Sequence, residues 1–321
     1  MPLETPVVAT VGRHRKYEAL IEACAAHPPL PTAVVHPCDD TALGAAIDAA
    51  RAGVIAPVLV GPADRIRGLA RELDVDIAPF QLVDQPHSHA AAAKAVELVH
   101  SGVVSALMKG SLHTDELMAE VVRKETGLRT ARRVSHVFVM DVPTYPKPLF
   151  ITDAAINILP SLDDKADIVR NAIGLAHALG IARPKVAILS AVETVNAKLP
   201  STLDAAALCK MADRGQIEGA ILDGPLALDN AISLAAARAK HIVSPVAGDA
   251  DVLLVPNLEA GNMLAKELTF LAQADAAGIV LGARVPIILT SRADDVRARL
   301  ASCAIALLYA AHIGYQNPVR A

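Results

Sequence analysis

The chain has 321 residues, 53% of them apolar but only 2% aromatic, with no tryptophan and a formal net charge of −4. There is enough aliphatic material for one large or two ordinary domains. The lack of stacking side chains and of a basic excess argues against a nucleic-acid partner. Cys24, Cys38, Cys209 and Cys303 form no CxxC pair and no zinc spacing with histidine, which fits a reduced compartment. Cys209 and Cys303 fall in apolar helical patterns and read as small core residues. The opening MPLETPVVATVGRHRK lacks the basic leader and apolar core of a secretory signal. The longest uncharged helical stretch, 300–313, is too short to span a bilayer and reads as a buried C-terminal helix. A cytoplasmic protein without a membrane partner is expected.

Short apolar runs alternate with helical patterns along the chain, which predicts a largely parallel sheet flanked by helices. In chain order the spacing predicts a helix over 41–51, capped by Asp40 or Thr41, and a strand over 54–60. Helices over 63–72 and 89–100 follow, then a strand over 103–108, a helix over 115–124 and a strand over 134–140. Pro143, Pro146 and Pro148 in DVPTYPKPL give rigid, donor-poor backbone, read as a crossover between two halves. Beyond it come a helix over 164–178 and strands over 186–189, 219–222, 252–255 and 285–289. Ser161 and Ser201 each precede an aspartate by three residues, a variant of the capping box. Periodicity alone gives a two-lobed α/β protein.

Four segments carry chemistry at element ends. In VPIILTSRADD (285–295) a strand stops at Thr290-Ser291-Arg292, so a hydroxyl and a guanidinium stand where open α/β sheets bind ligands. Arginine suits an oxyanion because its planar fork stays protonated; the plain alternative is a helix cap and a surface residue. In DVLLVPNLEAGNML (251–264) a strand and turn lead into a helix at about Glu259. Gly261 and Asn262 are placed in its first turn, where N–H groups and the dipole favour an anion. In ALMKGSLHT (106–114) Gly110 permits close backbone approach, and Lys109, Ser111 and Thr114 offer donors to phosphate. The spacing is not that of a Walker A loop, and His113 is a site residue or a surface one. Arg129, Arg132 and Arg133 cluster before the strand that starts at Ser135 and His136, as a solvated face or a phosphate contact. Thr152-Asp153 with Asn157, Ser190 with Glu193, and Asp223-Gly224-Pro225 with Asp229 stand near strand ends, where turns or caps account for any one of them.

With FITDAAINILP (150–160), VAILSAVE (186–193) and ILDGPLALD (221–229), these strings resemble, in order and spacing, the phosphate acetyltransferase and phosphate butyryltransferase family. The resemblance runs from about Lys16 to Leu308. HSHAAAAKAVELV and SAVETVNAKLPSTLDAAALCKMADRGQ resemble the transferase half of proteins that fuse this activity to an enoyl-coenzyme A hydratase. The resemblance implies a two-lobed, isocitrate/isopropylmalate dehydrogenase-like fold with mostly parallel sheets and flanking helices. It places residues 1–142 with 284–321 in a first, discontinuous domain, residues 143–283 in a second, and a cleft between them.

The activity implied is reversible transfer of an acetyl or butyryl group between coenzyme A and inorganic phosphate, giving acyl phosphate. Coenzyme A is then a substrate, with no permanently bound cofactor and no metal, and the protein is a homodimer. Ser291 and Arg292 match the family's catalytic pair, stabilising charge on the carbonyl and phosphate oxygens. Asp294 or Asp295 stands near the family's thiol-deprotonating carboxylate, although the spacer is shorter here. Lys109, Gly110, Ser111, His113, Thr114, Arg133, Ser135, Gly261 and Asn262 make up the expected substrate-binding set. Two rivals are a metal-dependent decarboxylating dehydrogenase of the same fold and a non-catalytic small-molecule-binding module. The first lacks a convincing carboxylate cluster for its metal.

Overall fold

The computed structural model describes residues 15–289 and 295–314. Ser291, Arg292 and Asp294 lie outside the described residues. The first half contains α1 (Arg15–Cys24), β1 (Leu30–Val35), α2 (Asp40–Arg51), β2 (Ile55–Gly61), α3 (Ala63–Glu72), β3 (Gln81–Asp84), α4 (Ser88–His100), β4 (Ala106–Lys109), α5 (Thr114–Val121) and β5 (Ser135–Asp141). The second contains β6 (Leu149–Thr152), α6 (Leu162–Ala178), β7 (Lys185–Leu189), α7 (Pro200–Asp213), β8 (Ile221–Leu226), α8 (Leu228–Ile232), α9 (Leu234–Ala239) and β9 (Val252–Leu254). It closes with α10 (Leu258–Phe270), β10 (Asp275–Leu281), β11 (Ile287–Ile288) and α11 (Val296–His312).

The described strands form one continuous sheet in the order β3-β2-β1-β4-β11-β10-β5-β6-β9-β7-β8. Neighbours are parallel except at its centre, where β10 runs against both β11 and β5, and β5 against β6. The β3-to-β11 block and the β6-to-β8 block therefore direct their carboxyl ends to opposite edges of the sheet.

Alternation of side chains across the strands separates the cores. One face is covered without a break by a cluster that includes Val34, Met108, Ile288, Ile279, Val137, Phe150 and Leu254, packed under α1, α2, α6, α7 and α11. The other face carries two clusters. One lies under α4 and α5, with Leu107, Ile287 and Val280; the other lies under α8, α9 and α10, with Met140, Ile151 and Leu253. Between them β5 and β10 present His136, Phe138 and Gly278, so a seam runs down this face.

Several sequence expectations shift by physical causes. Asp39, not Asp40 or Thr41, caps α2: its carboxylate accepts from Ala42 N at 2.7 Å, and Asp40 is already helical. Ser161 forms the expected reciprocal box with Asp164. Ser201 does not cap α7, because Pro200 opens that helix; its hydroxyl meets Ser190 Oγ at 2.8 Å, and Asp204 pairs with Lys165. The strand expected from 103 starts at Ala106, since Val103 and Val104 donate to Leu98 O and close α4. The helix expected to 124 ends at Val121, whose carbonyl is taken by Leu128 N at 2.7 Å. The proline-rich segment is a hairpin joining the adjacent antiparallel strands β5 and β6, held by Tyr145 Oη donating to Ala250 O.

Candidate active site

The two motifs at the first sheet edge leave it side by side. Leu107 and Met108 of β4 stand in register with Ile287 and Ile288 of β11. Lys109 thus ends one strand beside Leu289, the last described residue before Thr290. The Lys109 ammonium donates to Gly110 O at 3.3 Å and Leu112 O at 3.2 Å, folded over its own loop. Gly110 donates to Val35 O at 2.9 Å, and a Cβ there would stand 2.6 Å from His36 O and 2.8 Å from His36 C. Only glycine allows this approach.

Ser111 is occupied differently from expectation. Its hydroxyl donates to His36 O at 2.8 Å and accepts from Cys38 N at 3.0 Å, clasping the loop to the end of β1. In this arrangement both the proton and a lone pair of the hydroxyl are in use. His113, at the N-cap position of α5, makes no side-chain cap bond and is exposed; Thr114 opens the helix.

A second group gathers where β5 begins and β6 ends. Asp153 is buried, and its carboxylate accepts from the N–H groups of Ala155, Ile156 and Asn157 at 2.9–3.1 Å and from Asn157 Nδ2 at 2.6 Å. Burial pushes this carboxyl up from its ordinary value, against the pull of those donors. Asn157 in turn accepts from Arg133 Nε at 2.7 Å and donates to Val134 O at 2.9 Å. Asn171 on α6, which the motifs did not identify, donates to Arg133 O at 2.9 Å and to Ser135 Oγ at 2.8 Å. Its signal was a lone amide on the buried helical stripe Ile168, Ala172, Leu175. Ser135 is fully buried with its hydroxyl bonded to Asn171, so it stands behind the site rather than on its surface.

Gly261 and Asn262 also depart from expectation. Asn257 caps α10, accepting from Ala260 N at 2.9 Å, so both residues lie past the first turn. The Gly261 N–H is spent on Asn257 O at 3.2 Å and offers nothing to an anion. A Cβ on Gly261 would meet Val255 Cγ2 at 2.7 Å and Ala154 at 3.0 Å, while Asn262 donates to Ala154 O at 3.3 Å. These residues fasten α10 to the Asp153 loop.

His136 lies on the seam between the two cores and was given little weight by the sequence. Its ring packs edge-on to Phe138 with centroids 4.3 Å apart, and burial pushes its pKa down to about 3. Its Nδ1 is buried and has no partner among the described residues. A Cβ on Gly278 would stand 2.8 Å from His136 Nε2 and 2.9 Å from Leu289 O, so all three meet at one point on the seam.

Asp295 serves as the N-cap of α11, accepting from Ala298 N at 2.7 Å. Ser190, Glu193 and Asp229 are engaged in their own part of the second half: Ser190 with Ser201, and both acids with Lys240. Arg129, Arg132 and Arg133 come together around a cavity of about 360 Å³ with Met118, Val122, Val134, Ile156 and Asn157.

The chain is similar to several known proteins. Residues 87–307 match the family model described as Phosphate acetyl/butaryl transferase. A phosphate acetyltransferase of Rhizobium meliloti is 66% identical over 296 residues, 92% of this chain and 94% of that protein. A phosphate butyryltransferase of Clostridium acetobutylicum is 46% identical over 272 residues, 85% of this chain and 90% of that protein. The crystal structure of a branched-chain phosphotransacylase from Enterococcus faecalis V583 is 31% identical with a TM-score of 0.76, covering 87% of this chain and 99% of that one.

Proposed function

The chain belongs to the phosphate acetyl/butyryl transferase family, and from that premise we propose that it moves an acetyl group reversibly between coenzyme A and inorganic phosphate. It is a phosphate acyltransferase with an isocitrate dehydrogenase-like α/β fold. The observation that carries the acetyl reading is the identity of 66% to an acetyltransferase across nearly the whole chain, against 46% to a butyryltransferase.

In the direction that consumes acetyl phosphate, the thiol sulfur bonds to the carbonyl carbon, the C–O bond to phosphate breaks, and the thiol proton passes to a base. A thiol is mainly protonated at neutral pH, so that base matters. Arg292 holds the phosphate and polarises the carbonyl, and Ser291 donates to the same developing charge. Asp294 is the better base candidate, because one oxygen of Asp295 is committed to capping α11. Placement of Lys109 beside Leu289 supports a shared phosphate site for the Lys109–Thr114 loop and the Ser291–Arg292 segment. Ser111, Ser135, Gly261 and Asn262 act by holding the backbone, and Arg133 binds substrate.

The division into residues 1–142 with 284–321 and residues 143–283 is supported by the two separate cores on the seamed face. A homodimer belongs to the same reading, supported by Ile158, Leu159, Met263, Phe270 and Leu271, all exposed on or next to α10. No permanently bound cofactor is required. The test is phosphate-dependent thiol release from acetyl- and butyryl-coenzyme A, with chelator present and nicotinamide absent. Faster turnover of acetyl-coenzyme A is expected. Butyryl preference would overturn the acetyl assignment, and no release from either would overturn the whole reading.

A further inference from the structure

We propose that the hollow between α3 and β3 is a second small-molecule site, and that it takes an aromatic α-amino acid. Its volume of about 480 Å³ exceeds that of the arginine-lined cavity beside α5. Small-ligand sites are mainly apolar, with a few polar groups that fix orientation. Here Ala70, Val75, Ile77, Phe80 and Leu82 make the apolar part, and Arg67, Arg71 and Asp76 supply the charges.

The apolar surface follows from where the sheet ends. β3 is the outermost strand of its block and pairs only with β2 among the described residues. Val75, Ile77, Phe80 and Leu82 pack on the margin of the large core and stay half-buried. Phe80 is one of four phenylalanines in the chain, and it offers a second ring an edge or a face. The connecting turn is fixed by its own backbone. Val75 N donates to Ala70 O and Phe80 N to Ile77 O, both at 3.0 Å, and Ala78 N donates to Asp76 Oδ1 at 2.9 Å. The hollow is thus formed before a ligand arrives, which lowers the ordering cost of binding.

The charges select the ligand. Arg67 and Arg71 stand one turn apart on α3, so both planar forks reach toward one carboxylate. Arg71 makes no ion pair and no side-chain hydrogen bond among the described residues. Arg67 meets Asp64 at 3.5 Å between two exposed side chains, a pairing that water screens. Asp76 gives one oxygen to Ala78 N and makes no ion pair among the described residues. A plain organic acid would set its own negative charge against Asp76. An α-amino acid answers all three groups: its carboxylate meets the arginines, its ammonium meets Asp76, and its ring lies on Phe80 and Ile77.

The hollow is separate from the acyl-transfer loops. It is bordered by the second half of α3, whereas Arg65 in the first turn points the other way and donates to Cys38 O at 3.0 Å. The ten residues of α3 span about 15 Å.

The test is calorimetry with L-phenylalanine, alongside 3-phenylpropionate, which lacks the amine, and phenethylamine, which lacks the carboxylate. L-Phenylalanine should bind the native protein, and each truncated probe should bind about tenfold or more weakly, the scale of one charge-assisted hydrogen bond. Arg67→Gln/Arg71→Gln should remove the preference over phenethylamine. Asp76→Asn, which retains an oxygen acceptor for Ala78 N, should remove the preference over 3-phenylpropionate. Saturating acetyl-coenzyme A should leave the affinity for L-phenylalanine unchanged. Absence of L-phenylalanine binding, equal affinity for the three probes, unchanged preferences in the variants, or displacement by acetyl-coenzyme A would overturn the assignment. The probe comparison on the native protein needs no variant and no acyl transfer, so it stands whatever the thiol-release assay shows.

Discussion

Between pH 6.5 and pH 5 the protein should lose about 2 kcal/mol of stability through one side chain, His136. The imidazole is fully buried, and burial lowers its pKa from 6.5 to about 3. A depressed folded pKa means the neutral ring contributes stability above the unfolded value. That contribution is lost as pH falls, because the unfolded chain takes a proton that the folded one refuses. Each pH unit between 6.5 and about 3 then costs about 1.4 kcal/mol, until the folded state itself protonates. His36 is shifted the same way, chiefly by burial, so the effect must be read as a difference between proteins. His136→Phe keeps a flat ring against Phe138, removes the titration, and replaces the unpartnered Nδ1 with carbon. Urea unfolding followed by far-UV circular dichroism suits a chain without tryptophan. The native protein should lose stability more steeply than the variant between pH 6.5 and 5. Parallel pH dependences would refute a neutral buried imidazole at this position.

Two further outcomes concern the segment before α11. Arg292→Lys should cost ~100- to 1000-fold in turnover with little change in melting temperature, since lysine keeps charge but not the planar fork; near-native turnover would remove Arg292 from the mechanism. Asp295→Asn should keep its rate and lose at most about 1 kcal/mol of stability, as expected for a weakened cap. Asp294→Asn should do the reverse, and the opposite pattern in kinetics and melts would reassign the base.

The alternation of strands and helices was legible because each buried run is aliphatic and each helix shows its stripe; 63–72 was read to the residue as α3. The sequence left β1, β3, β6 and β10 unassigned; β10, DAAGIVL, has small Ala276, Ala277 and Gly278 that give little strand signal although it forms the antiparallel centre of the sheet. Small residues there follow from the crowded seam, where His136 and Leu289 O press on Gly278. The motifs mark segments at strand ends but do not assign tasks within them. A serine or glycine at a strand end reads the same whether it touches a ligand or a backbone. Ser111 and Gly261 were read as the former, and the structure sets both against backbone, Ser111 at His36 O and Gly261 at Ala154. Asn171 was missed because it acts from a helix far along the chain, on a buried stripe that the strand-end motifs do not reach.

The division of labour at this site follows from where the sheet changes direction. The antiparallel centre splits the core on one face and leaves a seam, so the loops at its rim have no continuous apolar layer to rest on. They are fixed instead by polar side chains aimed at backbone: Ser111 on His36 and Cys38, Asp153 on three successive N–H groups, Asn171 on Arg133, Asn262 on Ala154. Each of these bonds holds the neighbouring backbone in place. Cationic groups stand among these fastenings: Lys109 at the end of β4, and Arg129, Arg132 and Arg133 around the cavity, with Arg292 proposed for the reacting centre.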